Sequence, residues 1–79
     1  TSDNPRSENP VKICEAVSLG CIRSFHIEPD RREAIRKAIS TLRQEDILLI
    51  AGRGHETEQL IGGRIIPFHD ATVVREICA

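Results

Sequence analysis

Apolar residues recur along the chain at two different spacings, which predict helices alternating with short strands. One helical stripe runs from residue 10 to about 19, directly after Asn9, a residue suited to capping a helix that begins with proline. A second stripe runs to about Leu42 from Asp30, the predicted cap, and Glu33 is spaced to complete a capping box. A third helix is predicted to begin with Asp70 as its cap. The apolar positions assigned to the helix interiors are Ile13, Cys14, Val17, Ala34, Ile35, Ala38, Ile39, Leu42, Ala71, Val74, Ile77 and Cys78.

Strand patterns lie between and after these helices. Residues 47–51 form a short apolar run that ends at a glycine, which is typical of a buried strand, and residues 24–27 form a shorter extended segment. Residues 58–61 and 64–66 flank Gly62-Gly63, a pair that favours a primed hairpin turn. We therefore predict an α/β fold with a partial Rossmann-like sheet, mostly parallel and with a C-terminal antiparallel hairpin, flanked by three helices.

Composition narrows the class of protein. The 79 residues suffice for one small domain, and its interior must be aliphatic because Phe25 and Phe68 are the only aromatic residues. The 11 basic and 12 acidic side chains are interspersed, which favours neither nucleic acid nor an anionic membrane as a partner.

The three cysteines, Cys14, Cys21 and Cys78, lack CxxC spacing and are interpreted as reduced thiols of a cytoplasmic protein. No apolar run approaches the roughly 20 residues of a membrane span, so membrane insertion is not expected. Oligomeric state is not predicted.

Two loops carry the candidate chemistry. Gly52-Arg53-Gly54-His55-Glu56 follows the predicted strand at 47–51, and Asp3-Asn4-Pro5-Arg6 lies near the start of the chain, where its character is that of a segment leaving a strand. If both loops leave the carboxyl ends of parallel strands, both face the same crevice. Arg6 can then hold a carboxylate through its planar fork, while Glu56 and the carbonyl of Gly52 can hold an ammonium. An amino acid is the natural ligand for that arrangement.

At these residues the chain resembles the C-terminal domain of the Mur ligases. The resemblance rests on Asp3-Asn4-Pro5-Arg6, the Asp30-Arg31 helix start, and Gly52-Arg53-Gly54-His55-Glu56 with Gln59 downstream, and it runs from Thr1 to Ala79. One departure is visible, because the family usually has Gly-Lys-Gly-His-Glu where this chain has Arg53. The charge is kept, so we interpret the exchange as tolerated, although any specific role of the family lysine does not transfer.

The resemblance implies the function of a longer enzyme. In the family, the Asp-Asn-Pro-Arg motif marks ligases that add meso-diaminopimelate to a UDP-N-acetylmuramoyl dipeptide in peptidoglycan synthesis, using ATP and Mg²⁺. Residues 1–79 would form part of the C-terminal, amino-acid-binding domain, with the upstream domains outside this chain. Asn4 and Arg6 would contact carboxylates of diaminopimelate, Gly52 and Glu56 would hold its distal ammonium, and Asp3, Pro5, Gly54 and His55 would support the motifs.

No catalytic or metal-binding residue is assigned within these 79 residues. They contain no GxxxxGK[ST] loop and no carboxylate cluster suited to Mg²⁺, so ATP and the metal are expected to bind other domains, and the isolated segment is expected to be inactive. His26 and His69 lack partners at metal spacing, which disfavours zinc.

Plainer interpretations and other functions remain open from the residues alone. Arg6 could be an ordinary surface arginine, Gly52-Arg53-Gly54 could be a phosphate loop, and His55 could either orient its loop through a backbone hydrogen bond or do acid–base work. The basic residues of the second helix, Arg31, Arg32, Arg36 and Lys37, are interpreted as a solvated face. The whole chain could instead be a stand-alone α/β module that binds an amino acid or anion, or a relative of folylpolyglutamate synthetase.

Overall fold

The computed structural model describes residues 1–79 and contains three helices and one hairpin. This arrangement confirms an α/β domain with a C-terminal antiparallel hairpin. None of the helices is long and apolar enough to cross a membrane. In chain order the elements are α1 (Pro10–Ser18), α2 (Arg31–Ser40), β1 (Glu58–Ile61), β2 (Arg64–Pro67) and α3 (Asp70–Cys78).

Side-chain caps begin the first two helices, as the sequence predicts. The Oδ1 atom of Asn9 accepts a hydrogen bond of 2.9 Å from the amide of Val11, and the carboxylate of Asp30 accepts one of 2.9 Å from the amide of Glu33. The reciprocal half of the predicted capping box is absent, because the Glu33 carboxylate binds Arg36 one turn further along α2. A cap therefore fixes where each helix starts, while the ion pair lies on the exposed face of α2.

The hairpin forms at the predicted Gly-Gly turn. Strands β1 and β2 pair antiparallel, and Ile61 lies opposite Arg64 across the turn. The φ angles of Gly62 and Gly63 are 54° and 78°, the left-handed values that a type I′ turn requires at both central positions. This turn sets the register of the hairpin and thereby the position of β1 beside the N-terminal loop.

The predicted strand at residues 47–51 is wrong, because no neighbouring strand pairs with it. The segment predicted to be extended at residues 24–27 does not belong to the sheet either. The sheet has only two strands, and parallel pairing is limited to one bridge between Arg6 and Ile61. Within the apolar run, Ile47 and Leu49 are 92% and 84% exposed, whereas Ile50 packs against the core. An apolar run alone does not make a strand, since the ladder also needs a partner for its backbone groups.

The apolar core is small. Its contacting buried residues are Ile35 of α2, Val73 of α3 and Phe68, which lies just before α3. Cys14 is buried as predicted, but the assignment of four other residues to the helix interiors is wrong because they are exposed: Val17, Leu42, Ala71 and Cys78. Besides this cluster and Cys14, the buried side chains include five polar or charged ones: Ser2, Arg31, Arg53, Gln59 and Asp70.

An ion pair between α2 and α3 lies beside this core. The Arg31 guanidinium donates to both carboxylate oxygens of Asp70, each at 2.8 Å, and also to the carbonyl oxygens of Ser2 and Ala51. The interpretation of Arg31 as a solvated residue is therefore wrong, whereas Arg32, Arg36 and Lys37 are exposed as predicted. Asp70 is also not the helix cap; His69 occupies that position without a side-chain cap bond. The Arg31 guanidinium holds the pKa of the Asp70 carboxyl below its usual range.

We expect Asp70→Asn to destabilise the fold by about 3 kcal/mol at pH 7, because it leaves the buried Arg31 cation without its counter-charge. The folded state favours ionised Asp70, so this stability is present above the unfolded pKa of about 3.9 and is lost as the pH falls through the lower folded pKa. Urea unfolding of wild type and variant between pH 7 and pH 3 measures both effects. The difference between the two proteins should shrink below about pH 4.

Glu76→Gln is the matched control for this prediction. Glu76 also lies on α3 and pairs with an arginine of α2, Arg32, but both side chains of that pair are about half exposed. Exposed pairs contribute about 0 to 1 kcal/mol, so the control should change little. Equal losses for Asp70→Asn and Glu76→Gln would contradict a special role for the buried pair.

Candidate functional site

A crevice of about 380 Å³ opens between the N-terminal loop, the first turns of α1 and the loop that precedes β1. It brings together three of the sequence-predicted binding residues, Asn4 and Arg6 from one loop and Glu56 from the other. The remaining lining residues are Ser2, Asp3, Pro5, Glu8 and Ile13. Most of the lining residues are therefore polar, and they carry both signs of charge.

The N-terminal loop is fastened to β1. Asn4 accepts a hydrogen bond of 2.7 Å from the amide of Leu60 through Oδ1, and the carbonyl of Arg6 accepts one of 2.8 Å from the amide of Gly62. The backbone of Arg6 has a φ of 56°, which is uncommon for a residue with a side chain. Its guanidinium is exposed and makes no hydrogen bond within the protein. The fixed backbone thus presents to the crevice a guanidinium group that has no hydrogen-bond partner in the protein.

Gly52 lies at the edge of the crevice and is not part of its lining. Its φ is 104°, and a Cβ atom at this position would lie 3.0 Å from the Asp3 carboxylate. Only glycine fits both the left-handed backbone and this close approach between the two loops. Gly54 has a φ of 57° and open space around it. Since no helix follows these glycines, the arrangement lacks the helix N-terminus on which a phosphate loop relies.

Glu56 and His55 both reach solvent but differ in their surroundings. The Glu56 side chain is half exposed, lines the crevice, and has an oxygen 3.7 Å from the guanidinium of Arg53. His55 is exposed and forms no side-chain hydrogen bond, so the predicted loop-orienting bond from its imidazole to the backbone is absent. It lines a shallow depression beside the crevice, next to Asn4 and Glu56.

Arg53 is the residue whose role the sequence analysis missed. Its side chain is completely buried, and its guanidinium donates to the carbonyl oxygens of Asp3, Glu58 and Glu56 at 3.2, 3.1 and 3.2 Å. It also donates to the carbonyl of Phe68 and lies over that ring, 5.3 Å from its centroid. The only sequence signal for such a role was that the family also carries a cation at this position.

Gln59 extends the same network. It is buried on β1, and its side-chain amide donates to the carbonyl oxygen of Asp3 at 2.8 Å. That carbonyl also accepts from Arg53, so two buried side chains hold the backbone immediately before Asn4. Gln59 was noted only as part of the family resemblance, and its position gives it a supporting role in the geometry of the loop.

The charges around the crevice suit a zwitterion. Arg6 offers two parallel N–H donors to a carboxylate, while Asp3, Glu8 and Glu56 supply negative charge for a cation. No group of three or more His, Cys, Asp and Glu side chains is arranged to hold a metal ion anywhere in the chain. The arrangement can therefore bind a small ligand with separate positive and negative groups, by charge and hydrogen bonding.

Comparison with known proteins identifies relatives that align with nearly the whole chain. The family model described as "Mur ligase, glutamate ligase domain" matches residues 1–54. UDP-N-acetylmuramoyl-L-alanyl-D-glutamate--2,6-diaminopimelate ligases from Caldanaerobacter subterraneus, Chlamydia caviae and Alkaliphilus metalliredigens are 46%, 47% and 49% identical to the chain. These matches cover 100%, 98% and 98% of the chain. No solved structure matches it significantly.

The chain spans only about one sixth of these relatives, which is 17% of the first and 16% of the other two. The family model nevertheless covers more than half of the chain, and the relatives align with nearly all of it. The resemblance noted at the Asp-Asn-Pro-Arg and Gly-Arg-Gly-His-Glu motifs is thereby confirmed. The chain belongs to the Mur ligase family.

Proposed function

We propose that this chain supplies the meso-diaminopimelate-binding part of an ATP-dependent amide ligase of peptidoglycan synthesis, which acts on UDP-N-acetylmuramoyl-L-alanyl-D-glutamate. One observation carries the proposal: Asn4 and Arg6 share a crevice with Glu56, although about 50 residues separate the two loops. The names of the relatives support the choice of amino acid. They also favour a ligase over a stand-alone binding module or a folylpolyglutamate synthetase relative.

The chemistry of diaminopimelate fits these residues. It differs from lysine by a second carboxylate on the distal carbon that bears the ammonium. In the proposed complex, Arg6 holds that distal carboxylate through its bidentate fork, and Glu56 accepts hydrogen bonds from the ammonium. The Asn4 side chain uses its oxygen for Leu60, so its amide NH₂ group is the part available to a substrate carboxylate. Gly52 contributes through its backbone carbonyl at the edge of the crevice.

The residues of this chain do not fit the nucleotide or its metal. They form no phosphate-binding loop at a helix N-terminus and no cluster of metal ligands, so we assign no step of phosphoryl transfer to them. In the proposed enzyme, ATP, Mg²⁺ and the UDP-linked dipeptide contact other domains of a longer cytoplasmic protein. Residues 1–79 form part of its C-terminal domain, and we expect the segment alone to be inactive.

Arg6→Ala in the full-length ligase should selectively impair the use of diaminopimelate. Loss of one partner of a desolvated charge pair costs about 2 to 5 kcal/mol, so kcat/KM for diaminopimelate should fall on the order of 30-fold to a few thousand-fold. Arg6→Lys should recover little, because an ammonium keeps the charge and loses the planar fork. Steady-state kinetics with diaminopimelate and with lysine as the amino acid measure the change.

Activity with lysine should scarcely fall in either variant, because lysine lacks the carboxylate that Arg6 is proposed to bind. Arg64→Ala is the control, since Arg64 is an exposed arginine on β2 and lies outside the crevice. If lysine and diaminopimelate decline by the same factor, Arg6 holds the loop in place and does not select the substrate.

Gly52→Ala should raise the diaminopimelate KM more than Gly54→Ala does. Both positions have positive φ, so both variants strain the backbone by about 1 kcal/mol or more, but only the Cβ at Gly52 meets another group, the Asp3 carboxylate at 3.0 Å. The Asp3 carboxylate must then turn away from the new Cβ atom, and the strained backbone is expected to change the direction of the Gly52 carbonyl. Amino-acid KM values for the two variants test this expectation, and equal values would remove Gly52 from the site.

A further inference from the structure

One buried side chain, Arg53, binds the backbone of both walls of the crevice from behind. Arg53 donates to the carbonyl oxygen of Asp3, the residue before Asn4, and to the carbonyl oxygen of Glu56. One guanidinium therefore binds the backbone of both loops that supply the proposed ligands. Arg53 itself does not line the crevice.

The remaining contacts of Arg53 tie both loops to the rest of the domain. The carbonyl oxygens of Glu58, at the start of β1, and Phe68, just before α3, accept from the same guanidinium. A guanidinium is planar and its donors have fixed directions, so these acceptors cannot move independently of one another. The Arg53 guanidinium thus helps to set the separation of the Asn4–Arg6 loop from Glu56, together with the hairpin and with the contacts of Gln59 and Arg31.

Two nearby carboxylates explain how a cation can be accommodated in this buried position. The Arg53 guanidinium lies 3.6 Å from the Asp70 carboxylate and 3.7 Å from that of Glu56, while its Nε atom has no hydrogen-bond partner. Asp70 is already bound bidentately by Arg31, so Arg53 joins an existing ion pair and does not form one of its own. An apolar residue of the same length would fill the space but would remove the donor that Arg53 supplies to each carbonyl, and only the Asp3 carbonyl would keep a second side-chain donor, Gln59.

We propose that Arg53 is a positioning residue, which sets the distance between Arg6 and Glu56 to match the distal carboxylate and ammonium of the amino acid. This inference rests on the proposed function of the crevice. In this role Arg53 affects amino-acid binding only through the loops that it holds and does not contact the substrate itself.

The test uses the full-length ligase with Arg53→Met, Arg53→Lys and the control Arg64→Met. Arg53→Met keeps the length and removes every donor, so the diaminopimelate KM should rise about tenfold, with kcat and the ATP KM changed less than about twofold. Arg53→Lys keeps the positive charge but has fewer hydrogen-bond donors, so the diaminopimelate KM should rise by only about threefold. The control, an exposed arginine outside the network, should leave all constants unchanged.

A double-mutant cycle separates positioning from mere loss of stability. If Arg53 acts through Arg6, the effect of Arg53→Lys on the diaminopimelate KM should shrink when Arg6→Ala is already present. A purely structural role would lower the melting temperature or the active fraction and would leave the diaminopimelate KM of the folded enzyme unchanged. That result would overturn the proposal, as would equal rises in the KM for ATP and diaminopimelate.

The outcomes also distinguish this inference from the function on which it rests. If Arg6→Ala raises the diaminopimelate KM and Arg53→Lys does not, only the positioning role is wrong. If Arg6→Ala has no effect and wild type does not use diaminopimelate, the proposed function is wrong. Should Arg53→Met fail to fold, the lysine variant and its cycle with Arg6→Ala decide the matter by the same criteria.

Discussion

A buried charge network of Arg31, Asp70 and Arg53 holds the loops of this structure in place. Both guanidinium groups lie within 4 Å of the Asp70 carboxylate. Together they donate to backbone carbonyls in the N-terminal loop (residues 1–6), the signature loop (residues 51–57) and the hairpin. Few apolar side chains are buried, so hydrogen bonds and ion pairs replace part of the usual core. The cost of burying these charges is offset only while every partner is in place.

This buried network explains how the two loops hold a fixed geometry although no parallel sheet supports them. Loops that carry function are usually positioned by a rigid scaffold, and here much of that scaffold is polar. Arg31 reaches the carbonyls of Ser2 and Ala51, while Arg53 reaches those of Asp3 and Glu56. Each arginine therefore connects the N-terminal loop to the signature loop. The Arg6 guanidinium and the amide NH₂ group of Asn4 remain free for a ligand, because mostly backbone groups make the structural contacts of the two loops.

Local features of the fold could be predicted from the sequence. The caps at Asn9 and Asp30 and the Gly62-Gly63 turn depend on neighbouring residues, so their local chemistry determines them. The juxtaposition of Asn4, Arg6 and Glu56 was also expected, although the parallel strands invoked for it are absent. A single bridge beside Ile61 and the buried arginines bring the loops together instead.

Features that depend on distant partners could not be predicted in the same way. Arg31 lies in a run of basic residues on α2, where a solvated face is the ordinary expectation, and only Asp70, 39 positions away, explains its burial. The burial of Arg53 could not be predicted either. Its acceptors are backbone carbonyls, which every residue has and which therefore leave no signal in the sequence. For residues 47–51 the error was the reverse: the apolar pattern was present, but no strand pairs with it.

In the proposed complex, the crevice holds the distal end of diaminopimelate between its two loops. A crystal structure of the full-length ligase with meso-diaminopimelate would show whether it does. We expect the distal carboxylate within about 3 Å of the Arg6 guanidinium and the neighbouring ammonium at a similar distance from the Glu56 carboxylate. An amino acid bound elsewhere with Arg6 left in solvent, or a nucleotide phosphate in the crevice, would contradict it.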